Sequence, residues 1–145
     1  MIDIHTHILP GLDDGSQTLS DSLEMAELAL ESGVDTIIAT PHSNQLGRFE
    51  NFDLVHLKHV FSQLQQALQE EGIPLTLHLG MEIFASEDLC EKIQAGALLS
   101  LNRSRSYLVD HACVSCASRG CGHRWQCRWQ AGAAADNLRQ SVRVC

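Results

Sequence analysis

Five side chains in the first 82 residues carry metal-ligand chemistry at a spacing that could serve one site: His5, His7, Asp14, His42 and Glu82. His5 and His7 stand two apart at the end of a β-branched run, so both rings project from one face and can grip one cation or two neighbouring ones. Asp13 and Asp14 follow in the turn-rich segment 10–15, His42 closes a second β-branched run, and Glu82 follows a third. Three successive strand ends thus deliver nitrogen and oxygen donors toward one rim, a set suited to manganese, zinc or iron. A lone His-x-His at a strand end is weak evidence, and it is the coincidence of three strand ends that gives it weight. Asp13 has three readings: a further ligand, the hydrogen-bond partner of a ligating histidine, or an acidic turn residue. Arg48 has two, a fork holding a phosphate oxygen or an exposed loop cation. His56 and His59 fall in the middle of a polar helical stretch and are expected to face solvent. His78 alternates onto the face of Glu82, where a satisfied core histidine is the expected role.

These residues need elements to hold them. Residues 1–5 read as a strand. Thr18 with Asp21 three residues on reads as a capping box, followed by Leu19, Leu23, Ala26 and Leu30 at helical spacing and by Gly33 as a stop. Residues 34–40 have the apolar, β-branched character of a strand covered on both faces, and Pro41 bars its simple continuation. A second helix is expected over 52–71, with Leu54, Leu57, Phe61, Leu64 and Leu68 on one stripe, and a third strand over 75–79. Ser86 is expected to cap a short helix running through Leu89 and Ile93 to Gly96. Alternating strands and helices predict an α/β fold of right-handed βαβ units around a parallel sheet or barrel, with functional residues at the C-terminal strand ends.

The chain has 145 residues and a net charge of −8, which disfavours a nucleic-acid partner. No apolar run is long enough for a membrane span and the N-terminus does not read as a secretory signal, so a cytoplasmic protein is expected. Charge is unevenly spread: residues 1–102 hold 16 acidic and 3 basic residues, whereas 103–145 hold 2 acidic and 7 basic ones, all arginine. Five of the six cysteines, Cys113, Cys116, Cys121, Cys127 and Cys145, also lie in that last stretch. The joint shift marks two segments of different origin or role.

Several motifs together carry a resemblance: Asp3-Ile-His5-Thr-His7-Ile-Leu-Pro-Gly-Leu-Asp-Asp14-Gly15, Thr36-Ile-Ile-Ala-Thr-Pro-His42, Gly47-Arg-Phe-Glu-Asn51, Gly80-Met-Glu82-Ile83 and Leu99-Ser-Leu-Asn-Arg-Ser-Arg105. In this order they resemble the PHP-type (polymerase and histidinol phosphatase) bacterial protein-tyrosine phosphatases encoded with capsule and exopolysaccharide genes. The resemblance covers residues 1–105. It implies a distorted TIM-like (β/α) barrel holding a cluster of divalent metals, commonly manganese, that hydrolyses phosphotyrosine on a partner tyrosine autokinase. By motif match, His5, His7 and Glu82 look like metal ligands, and Asp14 and His42 fit the same cluster, with Asp14 also placed to orient a nucleophilic water. No cysteine nucleophile is implied, and Cys90 falls in a predicted helix away from the motifs. Divalent cations in such a site lower the pKa of bound water, neutralise phosphate oxygens and assist in-line displacement of phenolate. Other readings are a different phosphoesterase of that superfamily, histidinol-phosphate-like, and an inactive truncated fragment.

The family barrel is longer than this chain and takes further ligands from later strands. About three βα units are expected here, an incomplete barrel, with the start of a fourth strand at Tyr107-Leu-Val-Asp110, where Asp110 would replace the family's glutamate. Residues 106–145 are expected to form a non-matching Cys/Arg-rich tail, frameshifted or disordered. A small zinc site on Cys113, Cys116, Cys121, His123 and Cys127 is a second account of the tail, and a disulfide framework a third.

Overall fold

The computed structural model of the protein describes residues 1–86, 88–110, 126–129 and 140–143. Strand β1 (Ile2–Thr6) leads through a turn-rich loop to helix α1 (Leu19–Glu31). Thr18 and Asp21 form the expected capping box, each side chain accepting from the other's backbone N–H. Gly33 ends the helix at φ +82°, a conformation that costs glycine little. The expected stripe of α1 holds at Leu23, Ala26 and Leu30, which pack on the core, and fails at Leu19. Ser22 and Ala26 are buried, while Leu19 is 41% exposed on the first turn. Ser22 tolerates burial because its hydroxyl bonds Ser16 Oγ at 2.7 Å and the Thr18 carbonyl at 3.2 Å.

Strand β2 (Thr36–Ala39) is followed by a short antiparallel ribbon, β3 (Asn44–Gln45) and β4 (Phe49–Glu50), then by helix α2 (Leu54–Glu70). The ribbon occupies a stretch expected to be loop. Asp53 caps α2 by accepting from the N–H groups of Val55 and His56, so the helix starts two residues later than its apolar pattern suggests. Leu57, Val60, Leu64, Ala67 and Leu68 form its buried stripe, and His56 and His59 face solvent as expected. Strands β5 (Thr76–Leu79) and β6 (Glu82–Phe84) precede a one-and-a-half-turn helix α3 (Leu89–Gln94) and strand β7 (Ser106–Asp110). Ser86 does not cap α3. Its hydroxyl donates to the Asp88 carboxylate instead, and Asp88 occupies the cap position, its side chain pairing with Lys92 of the helix at 2.9 Å rather than capping a backbone N–H.

Strand order explains how the site is built. β1 pairs parallel with β2, β2 with β5, and β6 with β7. A parallel bridge between His42 and Glu82 carries the β2 line past the break at residues 80–81 and joins the two sheets. Apart from the separate β3–β4 ribbon, the strands from β1 to β7 therefore follow one another in chain order, a mixed α/β fold with parallel sheets. Ile8, Leu9, Ile37, Leu57, Leu64, Met81 and Ile83 are almost fully buried and pack the helices against this sheet. On the far edge of β7 lies an antiparallel ribbon of β9 (Gln140–Arg143) and β8 (Gln126–Trp129). The end of the resemblance at residue 105 thus falls just ahead of β7, which continues the parallel order. His111, Cys113, Cys116, Cys121, His123 and Cys145 lie outside the described residues, and with them the zinc and disulfide readings of the tail.

Candidate metal centre

β1 ends at Thr6, and its register against β2 shifts between Asp3 and Thr6. This irregularity puts both flanking histidines on the same rim: His5 Nε2 and His7 Nε2 are 3.1 Å apart. Glu82, at the start of β6, completes a tight triad. Its Oε2 lies 3.0 Å from His5 Nε2 and 3.0 Å from His7 Nε2. Donor atoms bound at about 2.1 Å to one ion, in right-angled to tetrahedral geometry, stand about 3.0–3.4 Å apart. The residues therefore fit a divalent cation.

His42 and Asp14 extend the cluster. His42 Nδ1 is 3.3 Å from Glu82 Oε2, its Nε2 is 3.4 Å from Asp14 Oδ1, and His7, Asp14 and His42 form a second group able to hold an ion. Arg48 Nη2 reaches Asp14 Oδ2 at 3.5 Å from the exposed side of the site. His5, His7, Asp14, His42, Arg48 and Glu82 thus meet in one place. Asp110 and His78 belong to neither donor group among the described residues. His78 instead lines a shallow pocket of about 380 Å³ beside α2, with Gln65 and Leu68.

The three readings of Asp13 resolve into one. Its side chain is shielded from solvent, and Oδ2 accepts from His7 Nδ1 at 2.8 Å and from the His42 backbone N–H at 2.8 Å, while Oδ1 accepts from the Gly15 N–H. A carboxylate on Nδ1 fixes the histidine tautomer and leaves Nε2 turned to the cluster. Burial alone would lower the His7 pKa, but the hydrogen bonds that its ring donates to Asp13 and Glu82 outweigh it and raise the value to about 9. Burial works against Glu82 too, yet His5 and His7 hold its carboxyl well below the ordinary carboxylate range. Asp13 is likewise lowered: bonds from His7, Gly15 and His42 overcome the cost of burial.

Three contributors were not legible as site residues. A Cβ at Gly15 would collide with the carbonyl oxygen and Cβ of His7, so only glycine lets the loop close over that histidine. Asn51 Nδ2 donates to the carbonyls of His42 at 2.6 Å and Leu12 at 3.0 Å. The Phe49 ring lies parallel to the His42 imidazole, centroids 5.0 Å apart and planes 6° from coplanar. The available signal was weak, a glycine after two aspartates and an aromatic and an asparagine close behind Arg48. The chain's one Cys-x5-Arg spacing, Cys113 to Arg119, falls outside the described residues.

Parallel strands that gather histidine and carboxylate donors at their C-terminal ends define an α/β protein with a metal-binding type of cluster. Residues 1–119 match the family described as capsular polysaccharide synthesis, CpsB/CapC, and the chain belongs to that family. The tyrosine-protein phosphatase YwqE of Bacillus subtilis is 41% identical over 110 residues, 76% of this chain and 42% of that protein. The tyrosine-protein phosphatase CpsB of Streptococcus agalactiae serotype V is 32% identical over 110 residues, 76% of this chain and 44% of that protein. A solved structure, from work on YwqE and Streptococcus pneumoniae CpsB as unique metal-dependent tyrosine phosphatases, superposes with a TM-score of 0.72 at 40% identity. That match covers 79% of this chain and 47% of the solved one. The chain spans less than half the length of these relatives.

Proposed function

We propose that this chain is a metal-dependent phosphoric monoester hydrolase acting on phosphotyrosine in a protein. The single observation that carries the reading is the triad of His5, His7 and Glu82, whose donor atoms converge within 3.0–3.1 Å. His5, His7, Glu82, Asp14 and His42 would hold the divalent cluster, with manganese as the metal. Ions bound there supply charge neutralisation for the phosphate oxygens and an acidified water.

The protein's own groups do the rest. Asp13 keeps the Nδ1 proton of His7 on the far side of the ring, so that Nε2 is the nitrogen that would give up its proton to face a bound ion. Asp14, half-exposed at the rim, accepts a hydrogen bond from the attacking water and aims it at phosphorus. Arg48, whose side chain is 61% exposed beside Asp14, is placed to fork onto the non-bridging phosphate oxygens. Phenolate leaves readily, which reduces the need for a general acid.

The substrate protein is a tyrosine autokinase of polysaccharide biosynthesis, met in the cytoplasm. The scaffold is the N-terminal part of a TIM-like barrel of PHP type, residues 1–105, followed by the compositionally distinct segment 106–145. Two features support it: the chain-order succession of parallel strands and the named activity of the relatives.

The test compares a phosphotyrosyl peptide, p-nitrophenyl phosphate and histidinol phosphate as substrates of the purified chain in Mn²⁺. The phosphotyrosyl peptide is expected to give the highest kcat/KM. A preference for histidinol phosphate would overturn the substrate assignment.

A further inference from the structure

The backbone of His42 is fixed from two sides, its N–H by Asp13 and its carbonyl by Asn51. Neither bond sets the torsions that aim the imidazole. Two rings touch it: His7, tilted at 53° with centroids 4.7 Å apart, and Phe49, stacked at 6°. Phe49 belongs to the β3–β4 ribbon, closed by a turn in which the Arg48 N–H donates to the Gln45 carbonyl at 3.0 Å. Arg48 in that same turn reaches Asp14, and its guanidinium carbon lies 5.0 Å from the Phe49 ring centre. The ribbon therefore touches both Asp14 and His42. The triad of His5, His7 and Glu82 is held mainly by groups of β1, β6 and the loop after β1, and His42 meets it through Glu82 Oε2 and the His7 ring.

We propose that the β3–β4 ribbon is a positioning clamp for the Asp14–His42 side of the cluster, with Phe49 orienting the His42 ring. The inference rests on the metal-centre reading above. A parallel aromatic face resists rotation of the imidazole that an aliphatic side chain of similar volume permits. Groups that orient metal ligands from outside the coordination sphere typically change metal affinity about 10- to 100-fold when removed. The ribbon reaches Asp14 and His42 directly, whereas the triad meets His42 through Glu82 Oε2 at 3.3 Å and the His7 ring, so loss of the Phe49 ring is expected to act most strongly on the Asp14–His42 side.

Mn²⁺ titration of the full chain by calorimetry, with free Mn²⁺ followed by electron paramagnetic resonance, reads this out without any turnover. Phe49→Leu is expected to weaken one class of Mn²⁺ site about tenfold or more while the tighter class stays within about threefold of wild type. Phe49→Tyr, which keeps the ring face, is expected to restore the affinity. Phe49→Met fills the same volume without a ring and repeats the measurement should leucine cost the fold. Unchanged isotherms in Phe49→Leu and Phe49→Met, or equal weakening of every site with the far-ultraviolet circular dichroism intact, would overturn the clamp. A wild-type chain that binds no Mn²⁺ would instead overturn the metal-centre reading itself.

Discussion

Asp13 decides how His7 is presented, although it belongs to neither donor group. Its Oδ2 serves His7 Nδ1 and the His42 N–H together, so one buried carboxylate ties two candidate ligands from different strands. Asp13→Asn keeps the size and loses the charge. It is expected to lower Mn²⁺ affinity about 10- to 100-fold by calorimetry with the fold retained, and an unchanged affinity would remove Asp13 from the centre. From the sequence, His-x-His could be recognised because a two-residue spacing on a strand has only one geometric meaning. Asp13 could not be assigned, because a turn aspartate has the same surroundings in sequence whether it bonds a ligand or water. Phe49 and Asn51 were unreadable as site residues for a related reason: their contacts to His42 exist only once the chain has folded back through a two-residue ribbon.

At the scale of elements, the long helices were legible from their apolar period, with the Thr18 and Asp21 capping box fixing the start of α1. The Asp53 cap of α2 was not legible, so the apolar pattern alone starts that helix two residues early. Thr18 and Asp21, and then Asp53, sit where side-chain oxygens meet the first free N–H groups. Thr18→Ala is expected to cost about 1 kcal/mol, read from denaturant midpoints. The carboxylates themselves predict a pH dependence. Asp21 is held below its ordinary value by the Thr18 hydroxyl and by the N–H groups of Thr18 and Gln17, and Asp53 by the N–H groups of His56 and Val55. A depressed folded value means stabilisation that is complete above the unfolded pKa of about 4 and is lost as pH falls through the folded one. An Asp21→Asn, Asp53→Asn double variant is expected to show a flatter decline of Tm from about pH 5 to pH 2 than wild type. Equal slopes would contradict it. The short elements escaped reading. Ser86 looked like a cap because serine suits that position, but here its hydroxyl finds Asp88, and a six-residue helix offers too little period to locate its start.

For the molecule as a whole, the alternation of strand and helix was enough to forecast the parallel pairing of β1, β2 and β5, since each crossover is fixed in hand by the twist of its strands, while β7 was expected from the family resemblance. The ribbon beyond β7 could not be forecast, because a segment rich in arginine and cysteine carries no apolar period, and β8 and β9 pair on that edge through backbone groups that any residue supplies. A cluster drawing donors from β1, its following loop, the end of β2 and the start of β6 links folding to ion binding. Mn²⁺ at about 100 times its Kd should add about 2.7 kcal/mol of stability. That corresponds to a rise in Tm of roughly 5–10 °C for a chain of this size, reversed by chelation and checked by calorimetry.

The decisive experiment is hydrolysis of a phosphotyrosyl peptide by the full chain. It is measured with Mn²⁺, after chelation, after Mn²⁺ is restored, and in the His5→Ala and His42→Ala variants. Turnover is expected with Mn²⁺, absent in chelator, recovered on re-addition and lost in both variants. Turnover that persists undiminished in chelator, or in both histidine variants, would contradict metal-dependent hydrolysis at this site.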